Sequence, residues 1–495
     1  MQSRRDFLRF AGALALLGTG CAAADGSEVD TLTADLGDAS TFPASVRTSG
    51  RLIMPQSATY TPARTVENPR IDVKPGLIAF CNNEQEVAAS VKWARANGRK
   101  ITVRSGGHNY EGFSMNSDLV IDVSGLKGFT LGADTMTIGS GWKQGDLAAH
   151  LFASRPNTAA VMGSCKSVAF SGFSLGGGFG FLARKFGLGV DNIVSLRVVD
   201  ADGEILVANE QENAELFWAL RGGGGSFGVV TEIKVRVHAV PANVTTFHRQ
   251  FPIAQATELV PKWFAWVKDM APELVSIMSM SGSGASAHVS ISGQFLGSQA
   301  QCLAALQATW GAIFIGYSKQ RTFLDSLDHW NGGKVAAKSS RFRARSDYYL
   351  KPLNAEGTAT ITRVLVNNKD PWSFAFLFDS YGSVIREVPR DAMAFGHRKD
   401  VLCCLQIFMS WGSTQMNGTN PIDARSAARL REIAGVLRSS GNVSGQAYPN
   451  YTDLTRDDWA TAYYGENLPR LQQAKQQFDA TNFFSFAQSI PLPSA

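Results

Sequence analysis

The chain has 495 residues, of which 44% are hydrophobic and 18% are charged, enough for two domains that each bury a core. Its net charge of +5 is small for this length and its lysines and arginines are scattered, which excludes the basic footprint of a nucleic-acid binder. Much of the glycine falls into three clusters, at 106–107, 172–180 and 222–228, where the backbone could closely approach a bound group.

The N-terminus is typical of an export signal. A paired arginine, Arg4-Arg5, precedes a short apolar run from Phe10 to Leu17, and this pattern predicts twin-arginine export to the periplasm or the cell exterior. Residues 1–24 are therefore predicted to be removed after Ala24, although Cys21 could instead carry a lipid anchor. The apolar run is too short for a permanent membrane span.

The residues after the signal begin with a polar leader. Residues 25 to about 50 are predicted to be this flexible leader, residues 25–67 are predicted to contain the leader and the start of the fold, and packed structure is expected from near Asn68. Residues 68–241 then alternate strand and helix patterns, beginning with a β-α-β unit, and they predict a first α/β domain. The predicted elements are a strand at 77–80, a helix at 84–97 capped by Asn83, and strands at 100–103, 119–123, 136–138, 193–199, 205–208 and 229–237.

The second half of the chain lacks glycine clusters. Residues 242–445 predict an antiparallel sheet covered by helices, so that the whole chain is α+β. Residues 446–495 form a C-terminal segment with a helix predicted at 468–478, able to close either domain. A polar and aromatic stretch is predicted to be a solvated basic loop rather than a substrate contact: Arg341, Arg343, Arg345, Tyr348 and Tyr349.

The cysteines do not predict a disulfide framework or a metal site. Those that follow the signal are odd in number and irregularly spaced, and Cys403-Cys404 with His397 does not have zinc spacing. We expect buried thiols and no metal.

Two glycine motifs are the candidates for chemistry. In the first, a predicted strand leads into Gly106-Gly107, whose backbone N–H groups could form a nest for a diphosphate, with His108 beside it. The alternative for this segment alone is a tight turn with a partly exposed histidine. The second motif, Met162 to Val168 and then Ser171 to Gly180, does not fit a Rossmann fingerprint, because no clear strand precedes it and G-x-G-x-x-G spacing is missing.

Together these segments resemble the PCMH-type FAD-binding domain of the vanillyl-alcohol oxidase superfamily, and specifically bacterial, twin-arginine exported members of the berberine-bridge-enzyme-like oxidases. The resemblance implies a two-part FAD-binding domain, a separate substrate domain and a C-terminal segment that returns to the FAD domain. It covers most of the chain. The motifs are R-S-G-G-H-N-Y at 104–110, G-S-C-K-S-V at 163–168, L-R-G-G-G-G-S-F-G-V-V-T at 220–231, H-R at 397–398, Gln406, Trp411, Y-P-N-Y at 448–451, Y-Y-G at 463–465 and Q-S-I at 488–490.

The resemblance implies FAD bound covalently twice, with His108 on the 8-methyl carbon of the flavin and Cys165 on carbon 6. Imidazole and thiolate are suitable nucleophiles for these electrophilic positions. It also implies Arg104, Ser105, Gly106, Gly107 and Asn109 around the diphosphate, and Val168, Gly172, Ser174, Gly176, Gly177, Gly228 and Val229 along the rest of the cofactor.

Oxidation of a substrate alcohol requires a base that takes the hydroxyl proton while hydride leaves for the flavin. The family pattern places a tail tyrosine there, which implies Tyr451, or Tyr448 instead, supported by Tyr110 and Gln406. A tyrosine titrates near pH 10, so this role predicts a neighbouring cation or hydrogen-bond donor that lowers its pKa. The alternative for both tail tyrosines is aromatic packing.

Two further positions bear on the reaction. The berberine bridge enzyme itself uses a glutamate where this chain has Gln406, which favours oxidation of an alcohol or hemiacetal over cyclisation. The family pattern also implies that Val168 admits oxygen to the cofactor, which favours an oxidase releasing hydrogen peroxide. The substrate is then a small alcohol, sugar or hydroxylated natural product. The alternatives are a dehydrogenase that uses a quinone or protein acceptor, and a flavin-retaining binding protein without catalysis.

Overall fold

The computed structural model describes residues 39–331, 340–412, 421–439 and 443–493. The predicted export signal and Cys21 lie outside these residues, as does most of the predicted leader. The described chain is α+β, as the sequence predicts. Within the described ranges, no helix combines the length and the apolarity needed to cross a membrane.

The first part of the chain forms a four-stranded sheet with short helices: α1 (Ala44–Arg47), β1 (Leu52–Ile53), α2 (Tyr60–Arg64), β2 (Leu77–Phe80), α3 (Glu84–Ala96), β3 (Ile101–Arg104) and β4 (Leu119–Asp122). The strand order is β1-β2-β4-β3, with β4 parallel to both β2 and β3. Helix α3 begins after Asn83, whose side-chain oxygen accepts a hydrogen bond from the N–H of Glu86 at 2.9 Å. The predicted β-α-β unit is confirmed.

Packing begins earlier than the predicted start near Asn68. Phe42 and Val46 are 1% and 0% exposed and belong to the same core cluster as Leu77. Phe42 also packs against Trp93 of α3, with ring centroids 4.8 Å apart. The prediction was wrong here because the segment is polar on average, and that average conceals a few apolar residues that pack into the core of the first sheet.

The second sheet and its helices are β5 (Phe129–Leu131), β6 (Thr135–Gly139), α4 (Gln144–Ser154), β7 (Thr158–Ala159), α5 (Phe170–Leu175), α6 (Ala183–Phe186), β8 (Ile193–Val199), β9 (Ile205–Ala208), α7 (Ala214–Gly223), β10 (Val229–Arg236) and β11 (His238–Ala239). Five strands pair antiparallel in the order β5-β6-β10-β8-β9, and β7 pairs with β11. The two glycine motifs lie in the connections around these sheets.

The next part contains β12 (Asn243–Pro252), α8 (Ala256–Asp269), β13 (Leu274–Gly282), β14 (His288–Phe295), α9 (Gln299–Trp310), β15 (Ser318–Thr322), α10 (Phe323–Trp330), β16 (Ser340–Tyr349), α11 (Ala355–Val366), β17 (Ser373–Ser380), α12 (Val384–Glu387), β18 (Cys403–Gly412) and α13 (Pro421–Ser439). Its seven strands are antiparallel, in the order β15-β12-β14-β13-β17-β18-β16. Apolar residues of α8, α9, α11 and α13 share a core with one face of this sheet. The predicted helix-covered antiparallel sheet is confirmed.

The stretch predicted to be a solvated basic loop is instead strand β16. Arg343 and Arg345 are only 7% and 6% exposed. Arg343 pairs with Asp423 of α13 at 2.8 Å, and Arg345 pairs with Asp453 of the C-terminal segment at 3.3 Å. The prediction was wrong because carboxylates from distant parts of the chain compensate these buried charges, which no local pattern reveals.

The C-terminal segment contains α14 (Trp459–Tyr464) and α15 (Leu468–Phe478). It contacts both earlier parts. The N–H of Tyr348 in β16 donates to the carbonyl of Gln446 at 3.0 Å, while the Nζ of Lys475 in α15 donates to the carbonyl of Ser226 at 2.6 Å. The segment therefore completes the space between the glycine motifs and the large sheet.

Candidate active site

A cavity of about 660 Å³ lies where the glycine motifs, the large sheet and the C-terminal segment meet. Such a volume is ample for a large organic cofactor. Many of the residues predicted for the site line it: Ser105, Gly106, Gly107, His108, Asn109, Tyr110, Cys165, Val168, Gly172, Gly176, Gly228, Tyr448 and Tyr451.

Five predicted residues do not line this cavity. The guanidinium of Arg104 instead pairs with Asp122 on the neighbouring strand β4, and Val229 is fully buried in the core. Ser174 and Gly177 lie behind the lining. Gln406 reaches the cavity indirectly, because its Nε2 donates to the hydroxyl of Tyr110 at 2.9 Å.

The cavity wall contains backbone that is open to a ligand. A Cβ placed on Gly172, Gly224 or Gly225 would have no neighbouring atom within 4 Å. In contrast, a Cβ on Gly106 would lie 2.6 Å from the backbone nitrogen of Ala169, so glycine here lets the two glycine motifs touch. Exposed glycine backbone of this kind suits close contact with a flat ring or a diphosphate.

Unused hydrogen-bonding atoms also point to a polar ligand. Among the described residues, the Nε2 of Gln144 and the Oε1 of Gln488 are buried without a partner, and both residues line the cavity. The Oε1 of Gln144 is fixed by the N–H of Gly163 at 2.5 Å. A buried unpaired polar atom is costly, so a group that both donates and accepts hydrogen bonds is expected here. The flavin ring of FAD has such an edge, and the lining therefore fits FAD.

His108 and Cys165 open onto the same cavity. The Nε2 of His108 lies 3.6 Å from a carboxylate oxygen of Glu67, and the Sγ of Cys165 lies 3.3 Å from the hydroxyl of Ser167. Cys165 is partly exposed, whereas the other cysteines among the described residues are buried. Burial raises the thiol pKa to about 12 for Cys81 and for Cys302, which keeps those sulfurs unreactive.

Three tyrosines form one wall of the cavity. Tyr110 and Tyr451 stack with ring centroids 5.6 Å apart, and Tyr448 meets Tyr451 edge-on at 4.8 Å. The hydroxyl of Tyr448 accepts hydrogen bonds from the N–H groups of Gly178 and Phe179, at 2.7 and 3.2 Å. Burial raises the pKa of Tyr448 to about 12. The Tyr448 hydroxyl thus binds the glycine turn, whereas the Tyr451 hydroxyl has a different hydrogen-bond partner.

That partner, Asp379 of β17, is a site residue that the sequence interpretation missed. The hydroxyl of Tyr451 donates to the Oδ2 of Asp379 at 3.3 Å. Asp379 is only 6% exposed, and its burial raises the carboxyl pKa to about 7. A signal was present, since Asp379 is the only charged residue within the apolar strand S-F-A-F-L-F-D-S at 373–380.

The expected lowering of the Tyr451 pKa is wrong. Burial raises this pKa well above its usual value, and the negative charge of Asp379 raises it further. Tyr451 is therefore protonated in the resting site. Acceptance of a proton by Tyr451 would require that its own proton pass to Asp379, which would make the two residues a relay rather than a single base.

A glycine-rich part with a four-stranded and a five-stranded sheet, a large antiparallel sheet and a cavity that suits a flavin define the chain as an FAD-binding oxidoreductase. Residues 75–209 match the family described as "FAD binding domain", and residues 447–491 match "Berberine and berberine like". Berberine bridge enzyme-like D-1 of Nicotiana tabacum is 30% identical over 477 residues, covering 84% of this chain and 83% of that protein. The chain belongs to the berberine-bridge-enzyme-like family.

Two further proteins support this assignment. An uncharacterised FAD-linked oxidoreductase of Bacillus subtilis (strain 168), YgaK, is 29% identical over 460 residues, covering 90% of this chain and 97% of that protein. The solved structure of Physcomitrella patens BBE-like 1 superimposes with a TM-score of 0.80 at 28% identity, covering 91% of this chain and 99% of that one. The chain is therefore an enzyme, an FAD-dependent oxidoreductase.

Proposed function

We propose that this enzyme oxidises a small alcohol, sugar or hydroxylated natural product with FAD held by both His108 and Cys165. One observation carries the proposal. Tyr451, whose hydroxyl donates to Asp379, lines the same cavity as His108 and Cys165. Proton removal and cofactor attachment would thus occur in one enclosed space.

FAD, when bound, would supply an acceptor for the hydride that leaves the substrate carbon, and oxygen would be the final acceptor in the proposed oxidase. The chain supplies the path for the proton. The oxygen of Tyr451 takes the proton of the substrate hydroxyl while the Tyr451 proton passes to the carboxylate of Asp379. With a pKa of about 7, Asp379 is ionised in a large fraction of molecules near neutral pH, and this is the range in which a base works best.

Tyr110 and Gln406 hold the ring of Tyr451 in its orientation. The ring of Tyr110 is almost parallel to that of Tyr451, at an interplanar angle of 6°. The hydrogen bond from Gln406 to the Tyr110 hydroxyl fixes the stacking partner in turn. Tyr448 instead holds the glycine turn at Gly178, so we assign the proton-accepting role to Tyr451.

Oxygen as the acceptor rests on Val168, which lines the cavity three residues after Cys165. Valine has a shorter side chain than leucine, and we propose that it admits oxygen beside the attachment point. Oxidase activity is therefore the form of the reaction that we propose.

The test begins with purified protein unfolded in acid. Yellow colour that stays with the chain, and one flavin that links the peptides of His108 and Cys165, would support the proposal. The single variants His108→Ala and Cys165→Ala should each keep the colour through the remaining bond, and the double variant should lose it. Cys302→Ala, which removes a buried thiol far from the cavity lining, is the matched control and should change nothing.

Peroxide release then tests the reaction itself. A panel of primary alcohols, aldoses and phenolic alcohols should contain at least one compound that bleaches the flavin and releases hydrogen peroxide in air. If the flavin is reduced but reoxidises slowly in air, the proposed oxidase activity is wrong and the enzyme is a dehydrogenase. If no compound reduces the flavin, catalysis at this site is not supported.

A further inference from the structure

The C-terminal segment contains a fully buried ion pair that the reaction does not use. The Nζ of Lys475 lies 2.7 Å from the Oδ2 of Asp479, and both side chains are 0% exposed. The same Nζ donates to the carbonyls of Ser226 and Phe484, at 2.6 and 2.9 Å. All three ammonium protons of Lys475 thus have an acceptor, one of them far earlier in the chain at Ser226.

Asp479 shapes the turn that follows its helix. Its Oδ1 accepts a hydrogen bond from the N–H of Phe483 at 2.7 Å, and its Oδ2 accepts one from the N–H of Phe484 at 2.8 Å. A carboxylate that accepts two backbone N–H bonds and one ammonium bond is well compensated inside a protein. The pair therefore fixes the backbone at 483–484 from both sides.

The two segments that meet at Lys475 are both walls of the cavity. Residues 222–225 line it, and they directly precede Ser226. Residues 484–486 line it as well, and they begin at Phe484. A second bond, from the N–H of Ile490 to the hydroxyl of Ser226 at 3.2 Å, joins the same two segments. Lys475 thus sets how far apart these two walls stand.

We propose that Lys475 is a positioning residue for the cofactor, which fastens the turn at 484–486 to the glycine turn at 222–225 so that the two enclose FAD. The proposal rests on the proposed placement of FAD in this cavity. An apolar side chain of similar length could fill the same volume without the cost of burying a charge. The ammonium group differs from such a side chain in that it binds two specific carbonyls, and so fixes a distance between walls.

The test compares Lys475→Met with Leu306→Ala in a His108→Ala/Cys165→Ala background, where FAD binds reversibly. Leu306 is 0% exposed in the core of the substrate domain, so its truncation destabilises the fold without touching the cavity. We expect Lys475→Met to weaken the Kd for FAD about tenfold, equivalent to about 1.4 kcal/mol, and Leu306→Ala to leave it unchanged. Hydrogen exchange at the amides of Phe483 and Phe484 should become faster only in Lys475→Met.

An unchanged Kd in Lys475→Met, with faster exchange at 483–484, would overturn the proposal, because the pair would then serve the fold alone. If Leu306→Ala weakens FAD binding as much as Lys475→Met does, the proposal is also overturned, because any loss of stability would then raise the Kd for FAD. If Lys475→Met does not fold because it leaves the Asp479 carboxylate unpaired, the double variant Lys475→Met/Asp479→Asn, which removes both charges, must weaken FAD binding in the same way for the proposal to hold. If the parent chain does not bind FAD at all, the proposed function is refuted. Weaker FAD binding in the Lys475 variant alone leaves the proposed function standing.

Discussion

Replacing Asp379 by asparagine tests two consequences of burying this carboxyl group, one for stability and one for catalysis. Asparagine has nearly the same size, and its side-chain oxygen can still accept the hydrogen bond from Tyr451, so the fold should persist. It cannot take up a proton. The variant therefore removes the end of the proposed relay while it also removes a buried charge.

The size of the stability effect follows from the carboxyl pKa. Burial raises it from 3.8 to about 7, a rise of about three pH units. At 1.36 kcal/mol per unit, holding the carboxylate ionised in the fold costs about 4 kcal/mol above pH 7. Between these two pH values the folded chain keeps a proton that the unfolded chain has released. The stability of the native protein therefore falls, relative to the variant, as the pH rises from about 4 to about 7.

Urea unfolding of both proteins from pH 4 to pH 8 measures this effect directly. The quantity to compare is the free energy of unfolding of Asp379→Asn minus that of the native protein. We expect this difference to rise by up to about 4 kcal/mol between pH 4 and pH 8. At the same time kcat should fall by about 10²- to 10⁴-fold, as for loss of a general base. In the native enzyme kcat/KM should rise with pH through about 7, since only the ionised carboxylate accepts the proton.

Two results would refute this reasoning. A stability difference that does not change with pH would mean that Asp379 ionises at an ordinary pH in the fold. Turnover at the native rate in Asp379→Asn would mean that the substrate proton leaves by another route.

Further substitutions test the other parts of the site. Tyr451→Phe should lower kcat about 10²- to 10⁴-fold in a peroxide assay with little change in Tm. Tyr448→Phe should instead cost about 1–3 kcal/mol in thermal unfolding, because two buried N–H groups lose their acceptor. Val168→Leu should slow flavin reoxidation in stopped-flow measurements without slowing its reduction by substrate. Gly176→Ala would place a Cβ 2.1 Å from the Oδ1 of Asn450, so we expect a lower flavin content in the visible absorption spectrum.

Local patterns predicted much of the fold. Strands β8 and β9 and helix α15 have the bounds that the sequence predicts, because a period of 2 or 3.6 and clear breaking residues mark them. Strand β13 was not predicted. Its serines at 276, 279 and 281 interrupt the apolar pattern, and the strand forms through its pairing with β14 and β17. Strand β16 was missed for the related reason that its arginines find their partners far along the chain.

The site residues also divide into those that a local motif predicts and those that it does not. Motifs led to His108, Cys165 and Tyr451, and all three line the cavity. Asp379 lies 72 residues before Tyr451, in an apolar strand that carries no motif. Arg104 belongs to a motif but does not reach the cavity, because the parallel register places it directly opposite Asp122 and the two charges pair. Contacts set by strand register are not visible in one sequence.

The C-terminal segment contributes Tyr451 and the turn at 484–486 to a cavity whose other walls are made much earlier in the chain. A ribosome that has finished both domains has therefore not yet made an active site. A message truncated near residue 440 would give a chain with the four-, five- and seven-stranded sheets and both glycine motifs. It would lack Tyr451, the proposed proton acceptor, and the turn at 484–486 that lines the cavity. During synthesis, the ability to transfer hydride would thus appear late and in a single step.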